Sequence, residues 1–213
     1  MLEGQKCLVI GSGISGIGAV ALLEKYHADV VLYDSSDKLT KEDLEAKLPG
    51  ESKAVCIAGE LPEEVELSIQ AAVLSPGVPT DIPLVNRMRD RGVQILGEIE
   101  LGFLAEQGRV IAITGTNGKT TTTTLTGEIM KAHFGAEKTF VVGNIGNPYT
   151  LEVTKTSKDS VTVGEISSFQ LETIHTFHPV VSAILNITPD HLNRHHTMEA
   201  YVAAKEAVAS HQT

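Results

Sequence analysis

Short apolar runs alternate along the chain with longer stretches in which apolar and polar residues are mixed. In the first part the runs are KCLVI, DVVLYD, KAVCI and AAVLS, separated by a helical stretch after Gly16, a charged stretch and a short helix near Pro62. In the second part the runs are RVIAIT, KTFVVG, SVTVGEI and VVSAILNIT, with helical stretches from Lys119 and over MEAYVAAKEAVAS. Strands that alternate with helices are typical of βαβ units around a parallel sheet. The pattern therefore predicts the α/β class.

The two series of runs predict two domains. The segment between them, Gly97 to Gly108, carries apolar residues at the spacing of a short helix. We place the boundary at the start of this segment, which gives a first domain over residues 1–97 and a second over residues 98–213. A length of 213 residues is sufficient for two modest domains that each bury a core.

Composition and charge narrow the class of partner. Hydrophobic residues make up 42% of the chain and the formal net charge is −10, which describes an acidic globular protein and not a disordered one. A negative surface is unfavourable for binding nucleic acid. The chain has neither a cationic start followed by an apolar segment nor an apolar run of about 18 residues. We therefore expect a cytoplasmic monomer without nucleic-acid or membrane partners.

The stretch GSGISG at residues 11–16 carries the first candidate chemistry. It follows the run KCLVI and precedes a helical stretch, and Asp34 stands at the end of the next predicted strand. Glycines in this spacing allow a tight turn and a close approach of the backbone to a diphosphate, as in a Rossmann-like domain. A helix N-terminus attracts any such anion, so the spacing alone does not choose between NAD and another nucleotide. An NAD-binding module, with Asp34 on the ribose, remains an alternative.

The stretch TGTNGKT at residues 114–120 carries the second. It links the run RVIAIT to a helical stretch, so its backbone N–H groups are able to cradle phosphates as in a P-loop. Lys119 then reaches the terminal phosphates and the Thr120 hydroxyl binds Mg²⁺. Ile113 stands where the usual GxxxxGK[ST] pattern has its first glycine, so the loop is not that of an ordinary P-loop kinase or GTPase. The fold prediction is thus a Rossmann-like domain followed by a P-loop α/β domain.

Four stretches together resemble the ATP-dependent Mur ligases of peptidoglycan synthesis. They are TGTNGKTT from Thr114, GNIG from Gly143, EISSFQL from Glu165 and NITPDHLNRH from Asn186. The resemblance extends across nearly the whole chain. GSGISG, LSPGV from Leu74 and the residue Asn117 are most similar to the branch of the family that adds D-glutamate. Ligases of the branch that adds L-alanine typically have histidine at the position of Asn117, and this branch remains an alternative.

The resemblance implies a reaction and its cofactors. ATP converts the carboxylate of UDP-N-acetylmuramoyl-L-alanine into an acyl phosphate, which the amine of D-glutamate then attacks, releasing ADP and phosphate. Because an anionic carboxylate must approach an anionic phosphate, such a site needs cations above all. ATP and Mg²⁺ are the implied cofactors.

The resemblance also implies roles for individual residues. The implied catalytic residues are Lys119, His191 and Lys205. The implied ATP-binding residues are Gly115, Thr116, Asn117, Gly118, Lys119, Thr120 and Thr121. The implied Mg²⁺ ligands are Thr120, Glu165, His191 and Lys205, the last as a carbamylated lysine that presents anionic oxygens. The implied UDP-sugar residues are Ile14, Ser15, Asp34, Ser35, Ser36, Ser75, Pro76, Gly77, Asn144, Ser167, Gln170 and His191.

Several of these residues have simpler interpretations. Ser167 is equally expected as a helix cap, and Asn144 as an ordinary turn residue. A transition-metal site is an alternative interpretation of the three histidines His191, His195 and His196, although their spacing is not that of the HExxH zinc enzymes.

The chain departs from the family at two points. Asn193 stands where an aspartate is frequent, and the family continues well beyond the position of Thr213. The resemblance therefore implies a partial second domain and a missing D-glutamate domain. We expect such a chain to bind the UDP-sugar and to be inactive as a ligase by itself. A non-catalytic binding module is the corresponding alternative.

Overall fold

The computed structural model describes residues 2–211; positions 1, 212 and 213, at the ends of the two predicted domains, lie outside the described residues. Two parallel sheets form the framework, and the predicted α/β class is confirmed. Within the part of the chain that is described, no helix is both long and apolar enough to cross a membrane.

The first sheet has five parallel strands in the order β3-β2-β1-β4-β5. Its strands are β1 (Lys6–Ile10), β2 (Asp29–Asp34), β3 (Val55–Ala58), β4 (Ala71–Leu74) and β5 (Gln94–Gly97). The helices between them are α1 (Ile14–Lys25), α2 (Lys41–Glu45), α3 (Glu63–Ser68) and α4 (Pro83–Asp90). Helix α1 begins before Gly16, where the sequence predicted its start. The apolar pattern of the sequence did not predict α2, α4 or β5.

The second sheet has four parallel strands in the order β7-β8-β6-β9. Its strands are β6 (Arg109–Thr114), β7 (Thr139–Gly143), β8 (Val161–Glu165) and β9 (Val181–Ile184). Its helices are α6 (Lys119–Phe134), α7 (Tyr149–Glu152), α8 (Ser168–Leu171), α9 (Leu192–His195) and α10 (Met198–Glu206). The last predicted helix is thus shorter than expected, since a 3₁₀ turn over Ala207–Ala209 follows α10.

Both faces of the first sheet are buried, which explains why its strands are continuous apolar runs. Cys7 and Val9 of β1 face one cluster, and Leu8 and Ile10 face the other. The cluster that contains Cys7 and Val9 continues into the second sheet, where it includes Val110 of β6. One apolar core therefore runs through both sheets.

The short helix expected between Gly97 and Gly108 is present as α5 (Glu98–Ala105). It is largely buried, packed against β4 and β5 of the first sheet and against α7, instead of forming an exposed linker. Glu98 accepts hydrogen bonds from the backbone N–H of Thr150 at 2.9 Å and from its hydroxyl at 3.2 Å. Glu100 accepts bonds from the N–H and hydroxyl of Thr176, at 2.8 and 2.6 Å. Two buried carboxyl groups therefore join α5 to α7 and to the segment after α8.

Candidate functional site

The turn between β1 and α1 is held by side chains from the two neighbouring strands. Asp34, at the end of β2, accepts bonds from the N–H of Ser12 at 3.0 Å and from its hydroxyl at 2.7 Å. Ser75, which follows β4, donates a bond of 3.0 Å to the carbonyl oxygen of Gly11. Gly13 is the N-cap of α1, and no described side chain caps this helix end. The first N–H groups of α1 are therefore available to an anion.

The carboxyl group of Asp34 is kept ionised by its surroundings. Burial raises its pKa, but the bonds from Ser12 and from the N–H of Ser36 at 3.1 Å, together with the charge of Lys47, outweigh burial and lower the pKa. The Nζ atom of Lys47 also donates to the Ser12 hydroxyl at 2.9 Å and to the Ser12 carbonyl at 3.3 Å. Asp34, Ser12 and Lys47 therefore form one polar group beside the turn.

A cleft of about 480 Å³ opens between this turn and the second sheet. Eight of the predicted UDP-sugar residues line it: Ile14, Ser15, Asp34, Ser75, Pro76, Gly77, Asn144 and Gln170. Ser35, Ser36, Ser167 and His191 are not among its lining residues. The cleft lies at the carboxyl ends of the strands, where open parallel sheets bind ligands.

The loop between β6 and α6 is closely tied to the segment after β9. The N–H of Thr116 donates to the carbonyl oxygen of Asn186 at 3.0 Å, and the N–H of Asn117 donates to the Asn186 side chain at 2.9 Å. The Nζ atom of Lys119 donates to the carbonyl oxygens of Gly115 and Thr116, at 2.9 and 3.0 Å. The ammonium group thus lies against the loop whose backbone was predicted to hold phosphates.

A second cavity of about 290 Å³ lies beside this loop. Nine residues line it: Lys119, Asn144, Ser167, Ser168, Phe169, Asp190, His191, Tyr201 and Lys205. The three predicted catalytic residues are therefore brought together. Asn144 lines both cavities, so the two predicted ligand regions adjoin each other at this side chain.

Lys205 is buried in this second cavity. Its Nζ atom donates to the carbonyl oxygen of Gly115 at 2.9 Å and lies 4.7 Å from the centre of the Tyr201 ring. Burial, and then the charge of Lys119, lower the pKa of Lys205 to about 8. The neutral fraction of this amine near neutral pH is therefore far larger than that of an ordinary lysine, although the protonated form still predominates.

Glu165 has a carboxylate oxygen suited to a cation. Its Oε1 accepts a bond of 3.0 Å from the side chain of Asn144, and its buried Oε2 has no hydrogen-bond partner within residues 2–211. Leaving a carboxylate oxygen buried and unbonded is unfavourable, and a hard cation would satisfy it. Thr120 and Thr121 are exposed at the start of α6. Among the described residues, no group of three or more His, Cys, Asp or Glu side chains is arranged to hold a metal ion.

Ser167 caps a helix, as its simpler interpretation predicted. Its hydroxyl accepts a bond from the N–H of Gln170 at 3.3 Å, and the Gln170 side chain accepts from the N–H of Ser167 at 2.9 Å. This reciprocal pair fixes the first turn of α8. Gln170 thereby has a defined position in the wall of the first cleft.

The three histidines near α9 have different surroundings. His191 has a left-handed backbone and its ring lies 4.9 Å from that of Phe169. His195 is buried, with Nε2 at 2.9 Å from the Ser168 hydroxyl and Nδ1 at 3.6 Å from Glu172. Burial lowers the pKa of His195 and outweighs the carboxylate of Glu172. The sidechain of His195 is thus occupied by protein partners.

Four residues that line the second cavity were given no role from the sequence: Ser168, Phe169, Asp190 and Tyr201. Lys47, which contacts Ser12 beside the first cleft, was given none either. Tyr201 carried a usable signal, because it lies four residues before Lys205 and such pairs share one face of a helix. Asp190 precedes the predicted ligand His191 directly. Lys47 carried no signal, since its contact with Ser12 spans 35 positions.

A larger groove of about 540 Å³, near the C-terminal end of α1 and the start of β2, contains none of the predicted residues. Its lining mixes acidic and basic side chains, among them Glu24, Lys25, Asp29 and Lys53. We assign it no ligand.

Comparison with known sequence families gives two matches that together cover most of the chain. Residues 5–97 match the N-terminal domain described as Mur ligase, MurD-like. Residues 113–213 match the Mur ligase middle domain.

Similar curated proteins carry one name. The chain is 58% identical over 212 residues to the UDP-N-acetylmuramoylalanine–D-glutamate ligase of Lachnospira eligens, covering 100% of the chain and 46% of that protein. It is 54% identical to the ligase of the same name from Lachnoclostridium phytofermentans, covering 99% of the chain and 46% of that protein. The chain thus spans about half the length of the curated relatives that it matches.

Similar solved structures support the fold. The UDP-N-acetylmuramate:L-alanyl-gamma-D-glutamyl-meso-diaminopimelate ligase from Neisseria meningitides matches with a TM-score of 0.59 and 14% identity, over 98% of this chain and 68% of that one. A murein peptide ligase from Psychrobacter arcticus matches with a TM-score of 0.54 and 14% identity, over 96% of this chain and 46% of that one. At this identity the likeness concerns the fold alone.

Proposed function

The chain belongs to the Mur ligase family, and from this membership we propose that it carries the sugar-nucleotide site and an ATP site of a D-glutamate-adding ligase. In this proposal the complete enzyme joins D-glutamate to UDP-N-acetylmuramoyl-L-alanine through an acyl phosphate and releases ADP and phosphate. Residues 1–97 form the UDP-sugar domain and residues 98–213 contribute the ATP domain. We assign no residue of the described chain to D-glutamate.

One observation carries the proposal: the two cavities meet at Asn144. The reaction requires a substrate carboxylate and the terminal phosphate of ATP to approach each other. Binding the two ligands in adjoining sites favours this approach. The cavity next to the phosphate loop contains Lys119, whose positive charge lowers the repulsion between the two anions.

For ATP, we propose that the backbone of residues 115–118 surrounds the phosphates and that Lys119 contacts the terminal one. Lys119 lies against Gly115 and Thr116, which keeps its ammonium group within this loop. Thr120 and Thr121 lie in the first turn of helix α6, whose N-terminal N–H groups favour an anion. Asn117, bonded to Asn186, holds the loop to the segment after β9.

For Mg²⁺, the proposed ligands are Thr120, Glu165, His191 and a carbamylated Lys205. The unbonded, buried Oε2 of Glu165 fits a hard cation, and the lowered pKa of Lys205 favours the neutral amine that carbamylation needs. When bound, such an ion supplies positive charge that offsets the phosphates. The side-chain amide of Asn144 donates a hydrogen bond to Oε1 of Glu165, the other carboxylate oxygen, and thereby orients the carboxylate.

For the sugar nucleotide, we propose that the diphosphate lies at the N-terminus of α1, beside Ile14 and Ser15. Ser75, Pro76 and Gly77 form the rim. Asp34 already accepts bonds from Ser12 and Ser36 with its two carboxylate oxygens, so we propose that it orders the turn and the adjoining Ser35–Ser36 segment on the uracil side. The same bonds disfavour the NAD alternative, in which the carboxylate of Asp34 would accept hydrogen bonds from the hydroxyl groups of a ribose.

The experiment is a calorimetric titration of the chain with UDP-N-acetylmuramoyl-L-alanine and, separately, with NAD⁺. A Ser15→Trp variant fills the first turn of α1, and Ser68→Trp, an exposed position before β4 at the other end of the sheet, is its matched control. We expect saturable binding of the UDP compound by the parent chain and by Ser68→Trp, and loss of binding in Ser15→Trp. NAD⁺ binding that excludes the UDP compound would refute the proposal.

The D-glutamate and L-alanine branches differ in whether their sugar-nucleotide substrate already carries L-alanine. A D-glutamate-adding enzyme accepts UDP-N-acetylmuramoyl-L-alanine, whereas an L-alanine-adding enzyme accepts the sugar nucleotide that lacks alanine. Titrating both compounds tests the assignment, and stronger binding of the alanine-free compound would favour the second branch. The names of the relatives and the residue Asn117 support the first.

A further inference from the structure

The first cleft lacks positive charge. Among the described residues that line it, Asp34 is the only one with an ionisable side chain, and it is an anion. A diphosphate brings additional negative charge to the same cleft. The N-terminus of α1 offers N–H donors and a partial positive charge, but the carboxylate of Asp34, which accepts the N–H of Ser12 at 3.0 Å, opposes this field.

Two cations of the described chain contact residues that line the cleft. Arg194 donates to the carbonyl oxygens of Pro76 and Val78 on the rim and is already paired with Glu172, whereas Lys47 contacts the β1–α1 turn itself. Lys47 follows α2 in the chain and is itself exposed, yet its Nζ atom donates to both oxygens of Ser12, at 2.9 and 3.3 Å. Ser12 lines the cleft and directly precedes Gly13, the N-cap of α1. An ammonium group has three donors, and within residues 2–211 the third has no acceptor.

We propose that Lys47 binds the diphosphate of the sugar nucleotide and supplies positive charge at the β1–α1 turn, where no described lining residue carries any. The inference rests on the proposed function, because it takes the β1–α1 turn as the diphosphate site. Lysine suits this role as a compact charge on a flexible stem, which is able to keep one bond to Ser12 while it contacts a phosphate oxygen.

The competing explanation is that Lys47 only holds Ser12 and Asp34 in place. The affinities for UDP and for uridine, which has no phosphate, distinguish the two roles. If Lys47 only shapes the turn, its removal weakens uridine and UDP alike. If it contacts the diphosphate, its removal weakens UDP and leaves uridine unchanged.

The test measures the dissociation constants of UDP and uridine for the parent chain and for Lys47→Met, Lys47→Arg and Lys53→Met. Lys53 is an exposed lysine that borders the groove at the other end of the sheet, so Lys53→Met makes the same change in net charge away from the cleft. We expect Lys47→Met to weaken UDP roughly tenfold, the value of one charge-assisted hydrogen bond, and to leave uridine unchanged. Lys47→Arg retains most of the affinity, Lys53→Met retains all of it, and added salt reduces the difference.

Equal losses for UDP and uridine, or no loss for either, would overturn the inference and leave the proposed function standing. Failure of the folded parent chain to bind UDP would overturn both. Thermal unfolding of each variant confirms that the compared chains are folded.

Discussion

The Nζ atom of Lys205 donates a hydrogen bond of 2.9 Å to the carbonyl oxygen of Gly115, 90 positions earlier in the chain. The bond joins α10 to the candidate phosphate loop. It also holds a lysine that is only 2% exposed, and burial, together with Lys119, lowers its pKa to about 8. The amine therefore loses its proton at a lower pH than an ordinary lysine does.

We expect Lys205 to form a carbamate with CO₂ under conditions in which exposed lysines scarcely react. Only the neutral amine reacts, and its fraction rises as the pH rises through about 8. Carbon NMR in labelled bicarbonate should show a carbamate signal that grows with pH, disappears in Lys205→Met and persists in the exposed control Lys158→Met. A signal of equal size in Lys205→Met would show that other amines produce it.

Substitution by alanine should destabilise the fold much more at Gly16 than at Gly13. A Cβ atom on Gly16 would lie 1.9 Å from the carbonyl oxygen of Gly11, whereas a Cβ atom on Gly13 would meet no atom within 4 Å. Gly13 also has φ −75°, which alanine adopts readily. We expect Gly16→Ala to cost about 2 to 4 kcal/mol of unfolding free energy and Gly13→Ala about 0.5 kcal/mol or less.

We expect the substitution at Gly13, which costs little stability, to weaken the binding of UDP. The open space next to Gly13 is where we expect the diphosphate, so Gly13→Ala should remain folded and bind UDP more weakly. Urea unfolding and UDP titration of both variants make the comparison. Full affinity in a folded Gly13→Ala chain would be incompatible with a diphosphate at this turn.

Glu66 should make the stability depend on acid. Its carboxylate pairs with Arg87 at 2.6 Å and with Arg91 at 2.8 Å, and hydrogen bonding to Arg87 outweighs burial and lowers its pKa to about 2. A carboxyl group whose pKa is lowered by folding stabilises the fold at every pH above its pKa in the unfolded chain, about 4.5. This contribution is lost as the pH falls towards the folded pKa of about 2.

We therefore expect Glu66→Gln to lower the melting temperature by a few degrees at neutral pH, with a difference that shrinks as the pH approaches 2. Glu64→Gln, an exposed neighbour in α3, is the control and should behave like the parent chain. Melting curves across this pH range test the prediction, which is wrong if the difference is independent of pH.

The sequence predicted those elements whose signal is local. The apolar runs of β1, β2, β6 and β8 are buried strands because βαβ units bury both faces of a parallel sheet. Helix α2 was missed because it buries a single apolar residue, Leu44, although its capping box between Thr40 and Asp43 is readable. Strand β5 was missed because its four residues follow a charged helix and end at the expected domain boundary.

In the candidate site, motifs identified residues that share a loop, and the structure added those that meet only after folding. Lys119, His191 and Lys205 were expected from the resemblance and line one cavity. The contact of Lys47 with Ser12 depends on how a charged segment returns over the turn, and no spacing rule predicts it. The buried position of α5 likewise depends on long-range bonds, between Glu98 and Thr150 and between Glu100 and Thr176.

Arg194 joins the second domain to the rim of the first cleft. Its Nη2 atom lies 2.7 Å from Glu172 and 3.3 Å from the carbonyl oxygen of Val78, and its guanidinium carbon lies 4.3 Å from the centre of the Phe169 ring. Both members of the ion pair are largely buried, at 15% and 17% exposure. The rim segment of residues 76–78 is thus held by a side chain only three positions after the proposed ligand His191.

We expect Arg194→Ala to destabilise the fold by about 2 kcal/mol, because it leaves Glu172 with an unpaired charge, and to weaken binding of UDP-N-acetylmuramoyl-L-alanine by releasing the rim. Arg194→Lys keeps the charge without the planar fork and should be intermediate. Arg109→Ala is the matched control, since Arg109 also stacks on a ring, that of Phe134, but away from the cleft. Denaturation and titration of the three variants decide the matter: lost stability with unchanged affinity would confine Arg194 to a structural role, because a rim that binds equally well when released does not need this clamp.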